Sequence, residues 1–307
     1  MEQRVTRRDL PIVLGFLLPG ALLMAVLIVV PVVLVVQFSL MNATSFVSPA
    51  EFIGGANYAK LMQDERFWGG LLRTVVYSSA TVALQVVIGI LFALLLNQTF
   101  MGNQFLRGAA VVPYILPTVV VTIAFQWILD ADAGIVNSVI AGLGLERINF
   151  FSIDLAMPTA IALSVWAWTP FVTLVFLSGL QTVPDELHES AEVDGAGVFR
   201  RFFTITLPML RGLIITIVLL RGIWMFNKLD MVYLLTGGGP LQRTETLPVY
   251  IYEAAFKLFD VGRGSAIAVV TFVLMLIAML VYLRVFDKDA NDERRAQRAA
   301  RVAGKVR

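Results

Sequence analysis

The sequence predicts an all-α membrane protein with six transmembrane helices and with its N- and C-termini in the cytoplasm. The 307 residues are 58% hydrophobic and only 15% charged, whereas soluble domains average about 45–50% apolar and about 25% charged residues. The mean hydropathy is +0.80. The apolar residues fall into six long runs, and the basic residues are distributed unevenly between the predicted loops.

Each apolar run is long enough to cross a bilayer once. A hydrocarbon core about 30 Å thick needs about 20 apolar residues in a helix, and the runs lack the short alternation of transmembrane β-strands. The first run exceeds the apolar core of a signal peptide, and no small-residue cleavage site follows closely, so we expect a retained anchor. The predicted helices lie near 12–38, 72–97, 108–129, 158–181, 210–235 and 264–286.

The orientation follows from Lys and Arg near the span ends, which concentrate on the cytoplasmic side. The N-terminus, the second and fourth loops and the C-terminal tail carry 15 of these residues, against 8 in the other loops. We therefore expect a cytoplasmic N-terminus at 1–11, a membrane domain at 12–287 and a basic cytoplasmic tail at 288–307. Such a tail fits a solvated helix near anionic lipid headgroups better than a segment that binds nucleic acid.

Several kinds of chemistry are excluded by composition. The chain has no cysteine and one histidine, His188, so disulfides, thiol nucleophiles and Cys or His metal clusters are not expected. A phosphate-binding loop of the G-x-x-x-x-G-K-[ST] type is missing. The spans hold almost no ionisable groups, which disfavours an intramembrane enzyme. We expect no catalytic residue, metal site or cofactor on this chain.

The longest predicted cytoplasmic loop, 182–208, separates the fourth and fifth spans. A capping box at Thr182 and Asp185 predicts a helix over 184–194, and Gly195 is expected to end it in a left-handed turn. A second short helix follows, so the pattern predicts a compact helix–turn–helix knob. Composition alone also fits an amphipathic segment lying on the lipid surface.

The spacing within this loop resembles the EAA motif of permeases from binding-protein-dependent ABC importers, E-A-A-x3-G-x9-I-x-L-P. Glu189-Ser190-Ala191 is followed after three residues by Gly195, and nine residues later by Ile205-Thr206-Leu207-Pro208. Only Ser190 departs from the pattern, and serine is as small as the usual alanine. The resemblance implies a type I ABC importer permease fold. It also implies an ATPase-coupling role for nine loop residues, namely Glu189, Ser190, Ala191, Asp194, Gly195, Ala196, Ile205, Leu207 and Pro208.

The resemblance extends over most of the chain and narrows the subfamily. The segments Phe52–Tyr58 and Phe67–Trp68 resemble a periplasmic region of carbohydrate-type permeases, and Thr236-Gly-Gly-Gly-Pro240 resembles the periplasmic loop before their last span. The sequence is thus similar to permeases of the maltose and glycerol-3-phosphate type. This resemblance implies a sugar or sugar-like substrate and a location in the bacterial inner membrane.

The same resemblance implies a set of partners. In the family, the loop is a coupling helix that seats in a cleft of a cytoplasmic ATPase subunit, where Glu189 would pair with a basic residue and Gly195 would allow close approach. The implied partners are a second permease subunit, usually in a heterodimer, two ATPase subunits, and a periplasmic or lipid-anchored solute-binding protein. ATP and Mg²⁺ would be bound by the ATPase subunits, the membrane domain would contact lipid, and no nucleic-acid partner is implied.

Arg221 is the only charged residue placed deep in a predicted span, where a charge costs about 2.5–3.5 kcal/mol on insertion scales. It needs a partner, a polar cavity or the bundle interior. Aromatic and hydrogen-bonding side chains suit a sugar, so the candidate substrate path comprises Arg221, Trp224, Asn227 and Asp230 on the fifth span, and Tyr114, Gln126, Trp166 and Trp168 on the third and fourth spans.

Other roles are open for these residues. Arg221 could form a structural salt bridge, and the tryptophans could lie in an interfacial belt or in helix packing. A secondary carrier for a polar solute would also account for Arg221. It would not account for the register of the loop at 182–208.

Overall fold

The computed structural model describes residues 10–47 and 49–304, with side chains described for 15–47 and 49–286. The described chain is mostly helical, which confirms the all-α class. It also contains an antiparallel pair of two-residue strands, β1 (Met41–Asn42) and β2 (Glu51–Phe52). Arg4, Arg7 and Arg8, which contribute to the predicted orientation, lie outside the described residues.

Fourteen α-helices follow one another along the described chain. Two π-helical turns, Phe202–Thr206 and Glu253–Lys257, adjoin them. The α-helices are α1 (Leu10–Ser39), α2 (Ala56–Met62), α3 (Glu65–Asn97), α4 (Asn103–Ile115), α5 (Thr118–Ile128), α6 (Ile135–Gly142), α7 (Ala156–Leu180), α8 (Asp185–Val193), α9 (Val198–Arg201), α10 (Leu207–Met209), α11 (Arg211–Phe226), α12 (Asp230–Thr236), α13 (Leu247–Tyr252) and α14 (Val261–Gly304).

Six candidate spans can be counted by length and composition in the described chain. Helices α1, α3, α7 and α14 each have one window long and apolar enough to cross a membrane. Two further spans are bent pairs: α4 with α5 at 95°, and Val198–Met209 with α11 at 67°. Counting each pair as one span gives the predicted number.

The third span is broken, although the sequence predicts one helix over 108–129. Leu116 is extended, with φ −71° and ψ 136°, between the end of α4 and the start of α5. The next residue is Pro117, whose ring disfavours helical backbone at the preceding residue and which has no N–H to continue the helical hydrogen bonds. Apolar composition therefore located the span, while the proline determines its break.

The fifth span also departs from its predicted bounds of 210–235. Helix α11 ends at Phe226, and α12 begins at Asp230. Asn227 Nδ2 donates a 3.0 Å hydrogen bond to the carbonyl oxygen of Ile223, which also accepts the backbone N–H of Asn227 at 3.4 Å, so both donors of Asn227 bind the last turn of α11. The residues after the break therefore lie on a separate helix, and their side chains do not continue the face of α11 that carries Arg221.

Two other spans are longer than the apolar runs that predicted them. Helix α3 begins at Glu65 rather than near 72, and α14 continues to Gly304 rather than ending near 286. The first turns of α3 are charged, and their arginines are paired: Arg66 with Glu253, and Arg73 with Glu245. Hydropathy marks the part of a helix that suits lipid, and a helix can extend beyond that part.

The described chain divides into two compact units, of which the first contains the residues up to Phe67 and Ile251–Phe272. Here Asn57 Nδ2 donates to the carbonyl oxygens of Ser39 and Met41, at 3.0 Å each. Arg263 Nη2 donates to Asp64 Oδ2 at 2.7 Å. The side-chain amide of Asn57 thus holds the backbone at the point where the chain leaves α1.

The second unit contains Trp68–Tyr250 and the residues from Val273 onward. Its central element is α7, which is buried over most of its length. Helix α3 approaches it closely at Gly89, where a methyl group would lie 2.7 Å from a side-chain carbon of Val172. Helices α3 and α7 are therefore in direct contact at this position.

Candidate functional site

The loop at 182–208 forms the predicted helix–turn–helix knob. Helix α8 ends with Asp194 as its C-cap, and Gly195 follows in left-handed backbone, with φ +77°. The N–H of Gly195 bonds to the carbonyl of Glu192 at 2.9 Å, and the N–H of Ala196 bonds to that of Ala191 at 2.8 Å. These two bonds define a Schellman motif, so the sharp turn at Gly195 is a property of the local backbone.

The predicted capping box does not form at the other end of α8. Thr182 Oγ1 donates to the carbonyl of Gly179 at 2.7 Å, at the end of α7. The N-cap of α8 is Pro184, in extended backbone and without a side-chain cap bond. Asp185 and Glu186 occupy the first turn, where their negative charges favour the helix N-terminus.

The knob presents most of the proposed coupling residues at its surface. A salt bridge between Arg201 Nη1 and Glu192 Oε2, at 2.5 Å, joins α9 to α8. Of the nine loop residues, the exposed ones are Glu189, Ser190, Asp194, Gly195 and Pro208, and the half-buried ones are Ala191, Ala196, Ile205 and Leu207. Large apolar side chains are exposed on the same knob, with Val193 88%, Phe199 81% and Val198 71% accessible.

Arg221 on α11 is completely buried within the second unit. Its Nε donates to Gln85 Oε1 on α3 at 2.9 Å, and Gln85 Nε2 donates to the carbonyl of Ser164 on α7 at 3.1 Å. The guanidinium carbon also lies 5.5 Å from the ring centroids of Trp168 and Trp224. In the described chain, an amide and aromatic rings surround this cation, and no carboxylate forms an ion pair with it.

A cavity of about 390 Å³ lies beside Arg221. Its lining contains four of the predicted path residues besides Arg221, namely Tyr114, Trp168, Trp224 and Asn227, together with Ile223, Met225 and Lys228. The rings of Tyr114 and Trp168 meet edge-on at 5.6 Å. Aromatic faces and polar groups are therefore combined in one cavity.

The other predicted path residues lie elsewhere. Gln126 Nε2 donates to the carbonyls of Leu234 and Leu235, at 2.8 and 2.9 Å, and so ties α5 to the end of α12. Trp166 packs edge-on against Phe125, with centroids 5.1 Å apart. Asp230 is outside the cavity lining because α12 is a separate helix, and its carboxylate pairs with Lys228 at 2.9 Å.

Sequence reasoning missed two polar residues of this region. Lys228 is one of the eight basic residues counted opposite the cytoplasmic set and is absent from the predicted path, yet its Nζ lies 4.2 Å from the centroid of the Trp168 ring. Gln85 is fully buried in an apolar span. A lone amide in such a run was a usable signal, because a buried polar side chain requires a hydrogen-bond partner.

Comparison with known proteins assigns this architecture to a family. Residues 85–289, which include the knob and Arg221, match the model of the binding-protein-dependent transport system inner membrane component. The chain belongs to this family of importer permeases. This permease is therefore a multi-pass inner membrane protein and a translocation subunit of an ABC importer.

Individual relatives are similar to this permease along nearly its whole length. The trehalose/maltose transport system permease protein MalF of Thermococcus litoralis is 35% identical, over 90% of this chain and 95% of the relative. The sulfoquinovosyl glycerol transport system permease protein SmoG of Agrobacterium fabrum is 39% identical, over 88% of each chain. A crystal structure of a bacterial transporter that imports the acidic polysaccharide alginate superposes with a TM-score of 0.80, at 22% identity, and covers 92% of this chain and 96% of the other. The type I importer permease fold is thereby confirmed.

Proposed function

We propose that this permease forms, with a second permease subunit, the membrane path for a sugar or sugar-like solute. Two ATPase subunits would bind ATP and Mg²⁺ and drive transport, and an extracytoplasmic solute-binding protein would deliver the solute. The names of the trehalose/maltose and sulfoquinovosyl glycerol relatives support the solute class. The family description supports the binding-protein partner.

The observation that carries this proposal is the surface of the knob. Val193, Val198 and Phe199 are each more than two-thirds exposed, and exposed apolar groups on a compact element favour an interaction surface. Gly195, at the Schellman turn, is exposed at that surface. A Cβ built on Gly195 would have no described atom within 4 Å, apart from those of Gly195 itself and its two chain neighbours. A partner subunit could therefore approach the turn closely and cover the apolar side chains.

The charges of the knob distinguish two neighbouring glutamates. Glu192 is already paired with Arg201. Glu189 is exposed and has no ion-pair partner among the described residues. A basic residue of an ATPase subunit would complete the pairing of Glu189 without breaking a contact inside the knob.

Reconstitution tests this proposal directly. The permease would be purified with its second permease and ATPase subunits, inserted in liposomes, and supplied with ATP and the loaded solute-binding protein. We expect sugar uptake that requires ATP, together with ATPase activity that rises when the loaded binding protein is added. Uptake at the same rate without the ATPase subunits would instead identify a secondary carrier.

A further inference from the structure

Two buried N–H donors beside the cavity have no hydrogen-bond partner among the residues that the structure describes. They are Nη1 of Arg221 and Nε1 of Trp168, and their residues are adjacent in the cavity lining. Buried donors are almost always satisfied in folded proteins, and an unsatisfied one destabilises the fold. Two such atoms at one cavity indicate a ligand that supplies acceptors.

The polar groups of the cavity are biased toward donation. Arg221, Trp168 and Lys228 carry donors and no acceptor, while Tyr114 and Asn227 can do both. No carboxylate belongs to the cavity lining as the structure describes it. A neutral sugar hydroxyl both donates and accepts, whereas a carboxylate or sulfonate only accepts. The surplus of donors therefore matches an anion better than a hydroxyl.

The two cations lie around one indole ring. The guanidinium carbon of Arg221 is 5.5 Å from the centroid of the Trp168 ring, and Nζ of Lys228 is 4.2 Å from it. Asp230 balances one positive charge through its pair with Lys228, and the charge of Arg221 remains without a described acidic partner. A saccharide whose apolar face stacks on an aromatic ring could present an acidic group to both cations.

We propose that the solute carried by this permease bears an anionic group, a carboxylate or a sulfonate, that binds between Arg221, Trp168 and Lys228. This inference rests on the proposed function as a sugar importer. It deepens that function by assigning the substrate class to acidic saccharides. The anion would accept hydrogen bonds from Arg221 Nη1 and Trp168 Nε1, the two donors that the fold leaves unsatisfied.

Direct binding to the full-length permease tests this assignment. The protein would be placed in phosphatidylcholine nanodiscs, and the binding of radiolabelled glucuronate and glucose would be compared by scintillation proximity. These probes differ in a carboxylate against a hydroxymethyl group. We expect glucuronate to bind at least about tenfold more tightly, since hydrogen bonds to charged groups exceed neutral ones. Equal binding of the two probes would overturn the inference.

Single-residue variants identify the atoms responsible. Trp168→Phe keeps an aromatic ring and removes Nε1, so glucuronate binding should weaken several-fold while glucose binding changes little. Arg221→Gln and Lys228→Gln should each reduce the preference for glucuronate, and Lys60→Gln, which alters an exposed cation on α2, should not. If Arg221→Gln fails to fold, the preference of Trp168→Phe for glucuronate over glucose tests the assignment by itself. An unchanged preference in Trp168→Phe would contradict the assignment.

Two further measurements separate other outcomes. In phosphatidylglycerol nanodiscs, glucuronate binding should persist, and its loss would assign the cavity to an anionic lipid headgroup instead. In the reconstituted importer, uptake of neutral sugars with no preference for acidic ones would overturn this inference while leaving the importer function intact. An importer that takes up neither kind of saccharide would contradict the proposed function itself.

Discussion

Arg221 donates a hydrogen bond from Nε to Oε1 of Gln85, at 2.9 Å, across the packing of α11 on α3. Gln85 in turn donates to the carbonyl of Ser164, so three helices are joined through one buried cation. A structural salt bridge was an open alternative for Arg221, and no acidic group within the described chain supplies one. Its guanidinium group is thus held by an amide, and Arg221 also belongs to the lining of the cavity.

Replacing Arg221 by methionine keeps the length of the side chain and removes its charge. We expect Arg221→Met to insert, to assemble with the partner subunits and to retain basal ATPase activity, because Gln85 is neutral. Transport should fall, or its preference should shift away from acidic sugars, because each hydrogen bond lost from the charged guanidinium removes roughly 1.5–3 kcal/mol of binding free energy. Complex yield and uptake would be measured together. A low yield would instead show that Arg221 has a structural role in holding the helices or the complex together.

The turn of the knob offers a second prediction. Gly195→Asp adds a charged side chain to left-handed backbone, which costs about 1–2 kcal/mol, while the spans are unaffected. We expect normal abundance, lost ATPase contact and lost transport. Gly197→Asp is the matched control because Gly197 has φ −65° at the N-cap of α9, where aspartate is favoured. Normal uptake by a well-expressed Gly195→Asp variant would show that the knob is not a docking element.

The two glutamates of α8 provide a third prediction. Glu189→Gln should weaken the association of the ATPase and lower sugar-dependent ATPase activity, and Glu189→Lys should have the same effect more strongly. Glu192→Gln removes only the pair with Arg201, and partly exposed pairs contribute about 0–1 kcal/mol, so its transport should remain close to that of the wild type. Pull-down of the ATPase subunits would compare the variants. Equal losses for Glu189→Gln and Glu192→Gln would contradict a specific contact at Glu189.

The orientation of the termini is a fourth prediction, based on the uneven distribution of Lys and Arg. Reporter fusions after residue 40, near 145 and near 250 should be extracytoplasmic. Fusions near 103, near 195 and at 307 should be cytoplasmic. Alkaline phosphatase and a fluorescent protein that folds only in the cytoplasm would report opposite sides. A cytoplasmic signal near 250 would exclude the arrangement of six spans.

Sequence reasoning located the spans because apolar runs are a requirement of the bilayer, whatever the helices contact. The turn at Gly195 was equally local, and its Schellman bonds confirm the predicted left-handed backbone. The place of Asp230 could not be predicted by helical periodicity, because α11 ends at Phe226. The hydrogen bonds of Gln126 to the end of α12 depend on that same break. The break between α11 and α12 therefore explains why helical periodicity did not fully predict which residues line the cavity.

The early end of α11 has a consequence for the surrounding bilayer. Its 16 residues rise about 24 Å, less than the hydrocarbon thickness of about 30 Å, so α11 counts as a full span only together with the bent segment Val198–Met209. The polar residues Asn227 and Lys228 follow the helix directly. Arg221 lies five residues before that end, about 7.5 Å along the axis, so a polar solute beside Arg221 has little apolar helix length to pass on that side.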